Sequence, residues 1–280
     1  MSLRNHRRGF HPRRRLRRTG KPPLYVTRVE VFVIHVIERL AEELRRARRV
    51  TVLTGAGVSA ASGVPTFRGA GGLWGSFRAE DLATPEAFAR DPRLVWEWYE
   101  WRRAKIASCE PNAAHEVLAR WTIESPHHTV ITQNVDDLHV RAGTQRLVRL
   151  HGSIWELTCW NDCGAPRWRD ERVPLPAQPA TCTSCGGLAR PAVVWFGEPL
   201  SSDDVNAALA ACSCDVFMTI GTSALVYPAA GLVQHATAKG AFTAEINLEV
   251  TPASSAVDLA IQGNAELILP EIAAHLLKRV

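Results

Sequence analysis

Ile34, Ile37, Leu40, Ala41, Leu44 and Ala47 recur at intervals of three and four with Glu and Arg between them, which predicts an amphipathic helix ending near Arg49. The period then changes. Short apolar runs follow at 50–53 (VTVL), 128–132 (HTVIT), 147–150 (LVRL), 192–196 (AVVWF), 215–220 (DVFMTI), 241–246 (AFTAEI) and 265–269 (AELIL). Helical stretches at 202–212 and 229–238 separate some of them. Runs that are apolar on both faces suit the strands of a parallel sheet covered by helices on both sides, so the pattern predicts a doubly wound α/β fold.

Ligands of such sheets bind outside the carboxyl ends of the strands. Here the segments that follow the runs are polar and glycine-rich: TGAGVSAASGVPTFRG after the first, QNVDDLH after the second, HGS after the third, GTS after the fifth and NLE after the sixth. Residues 64–127 hold prolines, glycines and helical stretches but no good strand, so a large insertion interrupts the first crossover.

Composition narrows the class. At 280 residues and 46% hydrophobic, the chain can bury a substantial core. Ten of its 33 basic residues lie in residues 1–28, which contain no Asp or Glu, leaving 23 basic against 28 acidic side chains in the remainder. The body is therefore mildly acidic, and any general affinity for nucleic acid would have to come from the arm. That arm reads as disordered. It can be a solvated tail or an artefact of an upstream start, a nucleic-acid or membrane-surface arm, or a targeting segment, although it is poor in Ser and lacks an apolar helical face. Arg28, Glu30, His35 and Glu38 interrupt the apolar stretch that follows and exclude a bilayer span. A membrane is not expected as a partner.

Seven cysteines without a secretory signal point to a reducing compartment. Cytoplasm is the expected location, with an organelle reached through the Arg-rich start as the alternative. Cys159, Cys163, Cys182 and Cys185 have the spacing C-x3-C-x18-C-x2-C, which reads as a closed, structural Zn²⁺ site of four thiolates, one ion per chain. Glycine follows Cys163 and Cys185, where a tight turn is needed. The first pair is one residue longer than the usual C-x2-C, and the competing reading is a cluster of free thiols. Cys109, Cys212 and Cys214 read as buried small hydrophobes.

Gly55, Ala56, Gly57, Ser59 and Ala60 fall in a relaxed G-x-G-x-x-G/A phosphate fingerprint, in which glycines let the backbone approach a pyrophosphate and a helix N-terminus supplies donors. A glycine-rich turn without ligand is the plain alternative. Hydride transfer is disfavoured, because no second strand with a ribose-binding acid follows within about 30 residues. His151, at a strand end, is by itself as compatible with a structural hydrogen bond as with catalysis. Its company of Gln133, Asn134 and Asp136 favours a neutral imidazole that takes a proton from a sugar hydroxyl.

In this order the segments GAGVSAASGVPTFRG, TQNVDDLH, HGS, four cysteines, VVWFGE, GTS and Asn247 resemble the sirtuins, NAD-dependent protein-lysine deacylases, over roughly residues 40–275. The resemblance implies a Rossmann-like catalytic domain spanning 29–280, with a helical insertion near 70–125 and a small zinc module near 155–192. NAD and an acyl-lysine peptide would meet in the cleft between them, giving deacylated lysine, nicotinamide and O-acyl-ADP-ribose, and a monomer is expected. It implies that Gly55 to Arg68, including Thr66 and Phe67, together with Trp74, Gln133, Asn134 and Asp136, hold the pyrophosphate, ribose and nicotinamide, and that His151 is the general base. Gly221, Thr222, Ser223, Asn247, Glu249 and Ala265 would line the adenosine end. Val194, Phe196, Gly197 and Glu198 lie in the segment that would pair with the substrate backbone as an added strand.

Where much of the wider family has Pro-Asp-Phe-Arg, this chain has Pro65-Thr66-Phe67-Arg68, which resembles the subclass acting on succinyl-, malonyl- and glutaryl-lysine. Asp91 and Pro92 begin a helix on which Val95, Tyr99, Arg102 and Ile106 share one arc, while Glu100 and Arg103 point elsewhere. Without that context Arg102 would read as a snorkelling or ion-paired side chain. With it, Tyr99 and Arg102 match the subclass's reader of the acyl carboxylate, and Ala83 the small residue that leaves room for a longer acyl chain. Removal of acetyl groups is the close alternative. A zinc-ribbon protein binding nucleic acid through its arm is the alternative from another class.

Overall fold

The computed structural model describes residues 28–66 and 78–278. Phe67, Arg68, Trp74 and the basic arm up to residue 27 lie outside the described residues. A six-stranded parallel sheet is built from β1 (Val50–Thr54), β2 (His128–Thr132), β3 (Leu147–Arg149), β7 (Val216–Ile220), β8 (Phe242–Asn247) and β9 (Leu259–Gln262), in the order β3-β2-β1-β7-β8-β9. Val50 pairs with His128 on one side and Val216 on the other, and Val216 pairs in turn with Phe242. All five residues of β1 are buried, as are all five of β7, which is why neither strand alternates in sequence.

Helices α1 (Arg28–Arg46), α6 (Ala113–Glu124) and α10 (Ala265–Leu277) pack together over one face of the sheet, with Ile37, Leu40, Leu118, Leu269 and Ile272 in a shared core. Helices α8 (Ser202–Ala211) and α9 (Leu232–Ala238) cover the other around Phe217, Leu232 and Ala236. Among the described residues of the insertion, the helices are α3 (Ala79–Leu82), α4 (Pro85–Arg90), α5 (Pro92–Ala107) and α6. Thr84 and Asp91 cap α4 and α5 through their side chains, each with Pro as the next residue, so the starts are set locally.

A second sheet, β5-β4-β6, is antiparallel and consists of β4 (Gly152–Cys159), β5 (Trp168–Arg169) and β6 (Ala189–Val193). The run at 192–196 therefore contributes only Ala192 and Val193 to a strand, and to this small sheet rather than the parallel one. The run at 265–269 is the start of α10, in which Ala265, Ile268, Leu269, Ile272 and Ala273 are buried at helical spacing. The last parallel strand is instead β9, whose four residues alternate buried and exposed. Among the described residues no helix is long and apolar enough to cross a membrane.

Candidate functional site

The strand order reverses its direction of growth between β1 and β7, and the loops after these two strands touch. Gly57 N–H donates to the Gly221 carbonyl at 2.8 Å. A Cβ on Gly55 would stand 2.8 Å from the Gly221 oxygen and the Thr222 Cβ, and one on Gly57 would stand 2.8 Å from the Gly221 Cα. Gly221 itself has φ +60° and would drive a side chain into the Val58 nitrogen. The first two glycines of the fingerprint thus serve close packing of two loops, and it is this packing that shapes the crevice. The N–H groups of Gly55, Val58 and Ser59 are also engaged, by Ile220, Gly55 and Ala56 carbonyls, and α2 (Gly57–Ala60) is only one turn long. The same absence of a Cβ that lets the two loops touch is what the fingerprint requires for a backbone that a pyrophosphate can approach.

Below this loop the side chains of the segment after β2 converge on it. Gln133 donates to the Thr222 hydroxyl at 3.0 Å. Asn134 donates to the Gly55 carbonyl and to Ser59 Oγ, both at 3.1 Å. Asp136 is buried, accepts from the Leu138 N–H at 2.9 Å and has its carbonyl bonded by Trp155 Nε1. Burial raises its carboxyl above the ordinary value, against hydrogen bonds from Leu138 and Ser59. The rings of His115 and His139 meet at 4.8 Å, tilted by 58°, beneath the same loop, His115 reaching Ser59 and His139 reaching Thr54. No spacing in the sequence marks these two histidines, because what unites them is tertiary.

His151 stands where the chain leaves β3 for β4, at the junction of the two sheets. Its Nδ1 lies 2.9 Å from the Gln133 carbonyl oxygen. A carbonyl only accepts, so Nδ1 carries the proton and Nε2 is the basic nitrogen of the neutral ring. Burial holds the imidazole below its ordinary pKa, opposed by that hydrogen bond. A neutral base is what proton abstraction requires.

On the far wall, α5 is buried almost all round. Tyr99 accepts a 2.7 Å hydrogen bond from Trp195 Nε1, and burial pushes its phenol up to about 12. The Arg102 guanidinium lies 4.9 Å from the centre of the Trp98 ring and 5.9 Å from that of Tyr99. Burial lowers its pKa, with Tyr99 and Asp136 acting in the opposite sense. Ala83 is buried and its carbonyl accepts from Phe196 N–H at 2.9 Å, and Val194 N–H donates to the His151 carbonyl at 3.0 Å. The side chains of Val194 and Phe196 retain exposure beside this wall, and Gly197 turns at φ +88°. Glu198 forms a bidentate pair with Arg190 at 2.5 and 2.9 Å and accepts from Trp195 N–H, so its carboxylate fixes the turn.

Glu100 and Arg103 point away from that wall, but not to solvent. Arg103 is 0% exposed and donates to the carbonyls of Ile154, Asp170 and Arg172 at 2.7, 2.7 and 2.9 Å. Glu100 pairs with it and accepts from Leu175 N–H. Of two adjacent arginines, one is thus a fastener of the small sheet and the other lies against Trp98 and Tyr99, near Asp136.

Beyond this loop pair, Thr222 is buried and Ser223 half-buried after β7, while Asn247 ends β8 and donates to the Glu249 carbonyl at 2.9 Å. Ala265 opens α10, which packs on α2. These groups and Gln133 all stand at the carboxyl edge of the sheet, a donor and acceptor set that suits a dinucleotide.

The sulfurs of Cys159, Cys163, Cys182 and Cys185 lie within 4.8 Å of one another, with 3.6 Å between Cys159 and Cys185 and 3.7 Å between Cys163 and Cys182. Four thiolates around Zn²⁺ with bonds of about 2.3 Å would sit roughly 3.8 Å apart, so the set fits the ion despite the longer first loop. Gly164 and Gly186 have φ +81° and +71°, the turns predicted after each ligand. Backbone N–H groups of Cys185 and Ser184 lower the Cys182 thiol to about 7. Cys109, Cys212 and Cys214 are buried.

Residues 55–228 match the Sir2 family. The NAD-dependent protein deacylase of Aquifex aeolicus (strain VF5) is 47% identical over 228 residues, covering 81% of this chain and 95% of that protein. Canis lupus familiaris NAD-dependent protein deacylase sirtuin-5, mitochondrial, is 43% identical, covering 82% of each. A Sir2 homologue solved in complex with NAD superposes with a TM-score of 0.80 at 41% identity, over 85% of this chain and 93% of that one. The crevice, the basic histidine and the four-cysteine site on an α/β sheet define a nucleotide-dependent enzyme with a structural metal module. The chain belongs to the Sir2 family. It is an NAD-dependent protein deacylase, with NAD as its co-substrate.

Proposed function

We propose that this enzyme removes acidic acyl groups, succinyl and malonyl and by extension glutaryl, from protein lysines in preference to acetyl. The observation that carries this reading is Arg102: a cation held beside Trp98 and Tyr99 on the wall formed by Ala83 and the Val194–Glu198 segment, and partly desolvated there. A guanidinium in that position offers a planar fork to a carboxylate and nothing to a methyl group. The similarity to sirtuin-5 supports it.

NAD supplies an electrophilic ribose carbon once nicotinamide leaves. The roles proposed for the chain's own residues are those the family resemblance implies, and the geometry supports them. Gln133, Asn134 and Asp136 orient ribose and nicotinamide, and Ser59 ties Asn134 to the loop that carries Gly55. His151 Nε2 takes the proton of a ribose hydroxyl, its ring held by the Gln133 carbonyl. Thr222, Ser223, Asn247, Glu249 and Ala265 take the adenosine. The backbone of Val194 to Gly197 pairs with the substrate as an added strand. Cys159, Cys163, Cys182 and Cys185 hold one Zn²⁺ that braces the small sheet. A monomer acting on proteins in a reducing compartment completes the proposal.

The test is nicotinamide release with one peptide carrying acetyl-, succinyl- or unmodified lysine. Faster turnover of the succinyl peptide supports the reading, and a clear preference for acetyl overturns it while leaving the deacylase assignment in place.

A further inference from the structure

The QNVDDLH segment carries two adjacent carboxylates, and the fold uses them differently. Asp136 accepts the Leu138 N–H and so caps the short helix α7 (Leu138–Arg141). Asp137 occupies the position just before that helix, yet its side chain makes no capping bond. It is turned outward from the helix by a left-handed backbone, φ +62°, which Asp tolerates better than most residues with a Cβ.

That turn places the Asp137 carboxylate, 1% exposed, between two arginines from different parts of the molecule. Arg169 of β5, in the cysteine-bearing module, donates to Oδ2 at 2.7 Å. Arg149 of β3, in the large sheet and two residues before His151, lies 3.5 Å from Oδ1 and donates to Glu156 of β4 at 2.8 Å. Glu171 pairs with Arg169 from outside at 2.6 Å. Charges alternate along Glu156, Arg149, Asp137, Arg169 and Glu171, with the buried member at the centre, where a charge is tolerated only if it is paired.

We propose that Asp137 is a positioning residue, a clasp that fixes the small module against the segment carrying Gln133 and Asn134, and so sets the spacing between the peptide-pairing strand and the catalytic histidine. On the roles proposed above, on which this inference rests, the groups that hold the nucleotide stand on the large sheet, after β1, β2, β7, β8 and β9. The peptide-pairing segment continues β6 of the small sheet. Loosening the clasp therefore affects peptide engagement and leaves nucleotide engagement intact.

Asp137→Asn is the suitable variant, because Asn accepts the left-handed backbone and removes only the charge. Arg169→Met, at a side chain 41% exposed, interrupts the same pair from the other end and keeps the question answerable if the first variant folds poorly. Steady-state kinetics should show the peptide KM raised about tenfold or more in each, with the NAD KM changed less than about twofold. The double variant should be no worse than the more impaired single one, since both break one clasp. Glu171→Gln, on the exposed end, should stay within about twofold of the parent. Equal rises in both KM values, or losses that multiply in the double variant, would show that Asp137 serves general stability and would overturn the proposal.

Discussion

Trp195 Nε1 donates to the Tyr99 hydroxyl oxygen at 2.7 Å, joining the helix that carries Arg102 to the segment that follows β6, with both rings buried. The bond fixes the polarity of the phenol: its oxygen accepts from the indole, so its own proton is the one available to a ligand. Tyr99→Phe should therefore do two things at once. It leaves a buried indole N–H unsatisfied, lowering unfolding free energy by about 1 to 3 kcal/mol. It also removes a donor, worth about 0.5 to 1.5 kcal/mol to an acidic acyl group. Denaturant unfolding and kinetics on paired acyl peptides separate the two, and an unchanged midpoint would remove the first.

His151→Ala should leave nucleotide binding in place and reduce deacylation by about 10²- to 10⁴-fold, the range of a general base. Because burial lowers the pKa of His151, kcat/KM should climb with pH through an ionisation below the ordinary histidine value and level off above it. An acid limb centred above that value would contradict a buried, neutral base.

Stability should have its own acid limb. Burial holds His115 down to about 4, and burial together with His115 lowers His139 further. The unfolded chain takes up these protons first, so stability is unaffected above the ordinary histidine range and falls as the pH drops below it. His115 alone should account for about 3 kcal/mol by roughly pH 4. Replacing His115 by Asn should flatten this limb in denaturant titrations at successive pH values, and an unchanged limb would reject the assignment.

Metal analysis of freshly purified enzyme should give one zinc per chain. A strong chelator should lower Tm and abolish activity, because the module that the four cysteines close supplies β4 and β6 and the carbonyls that Arg103 binds. Full activity in metal-free protein would contradict a structural role.

Much of the fold was legible because its central strands are continuous apolar runs and because Asp91 followed by Pro92 marks the start of α5. The failures have physical causes. AELIL reads as a strand because a five-residue window cannot separate one helical face from a buried strand, whereas the four residues of β9 are too few for their alternation to stand out. The glycines of the fingerprint were visible, but their packing against Gly221 was not, since that contact joins loops more than 160 residues apart. Helical spacing separated Arg102 from Arg103, yet the carbonyls that bury Arg103 come from strands and loops that no local pattern could supply. Asp137 was overlooked for the same reason, its two arginines lying on separate sheets.

The central claim rests on Arg102, and Arg102→Met tests it most directly by keeping length and apolar contact with Trp98 while deleting the cation. A hydrogen bond to a charged partner contributes about 1.5 to 3 kcal/mol, so kcat/KM on a succinyl-lysine peptide should fall roughly 10- to 150-fold, while the same peptide bearing acetyl-lysine changes little or improves. A parallel fall on both peptides with a lowered Tm would contradict the account and place Arg102 among the packing residues of its helix.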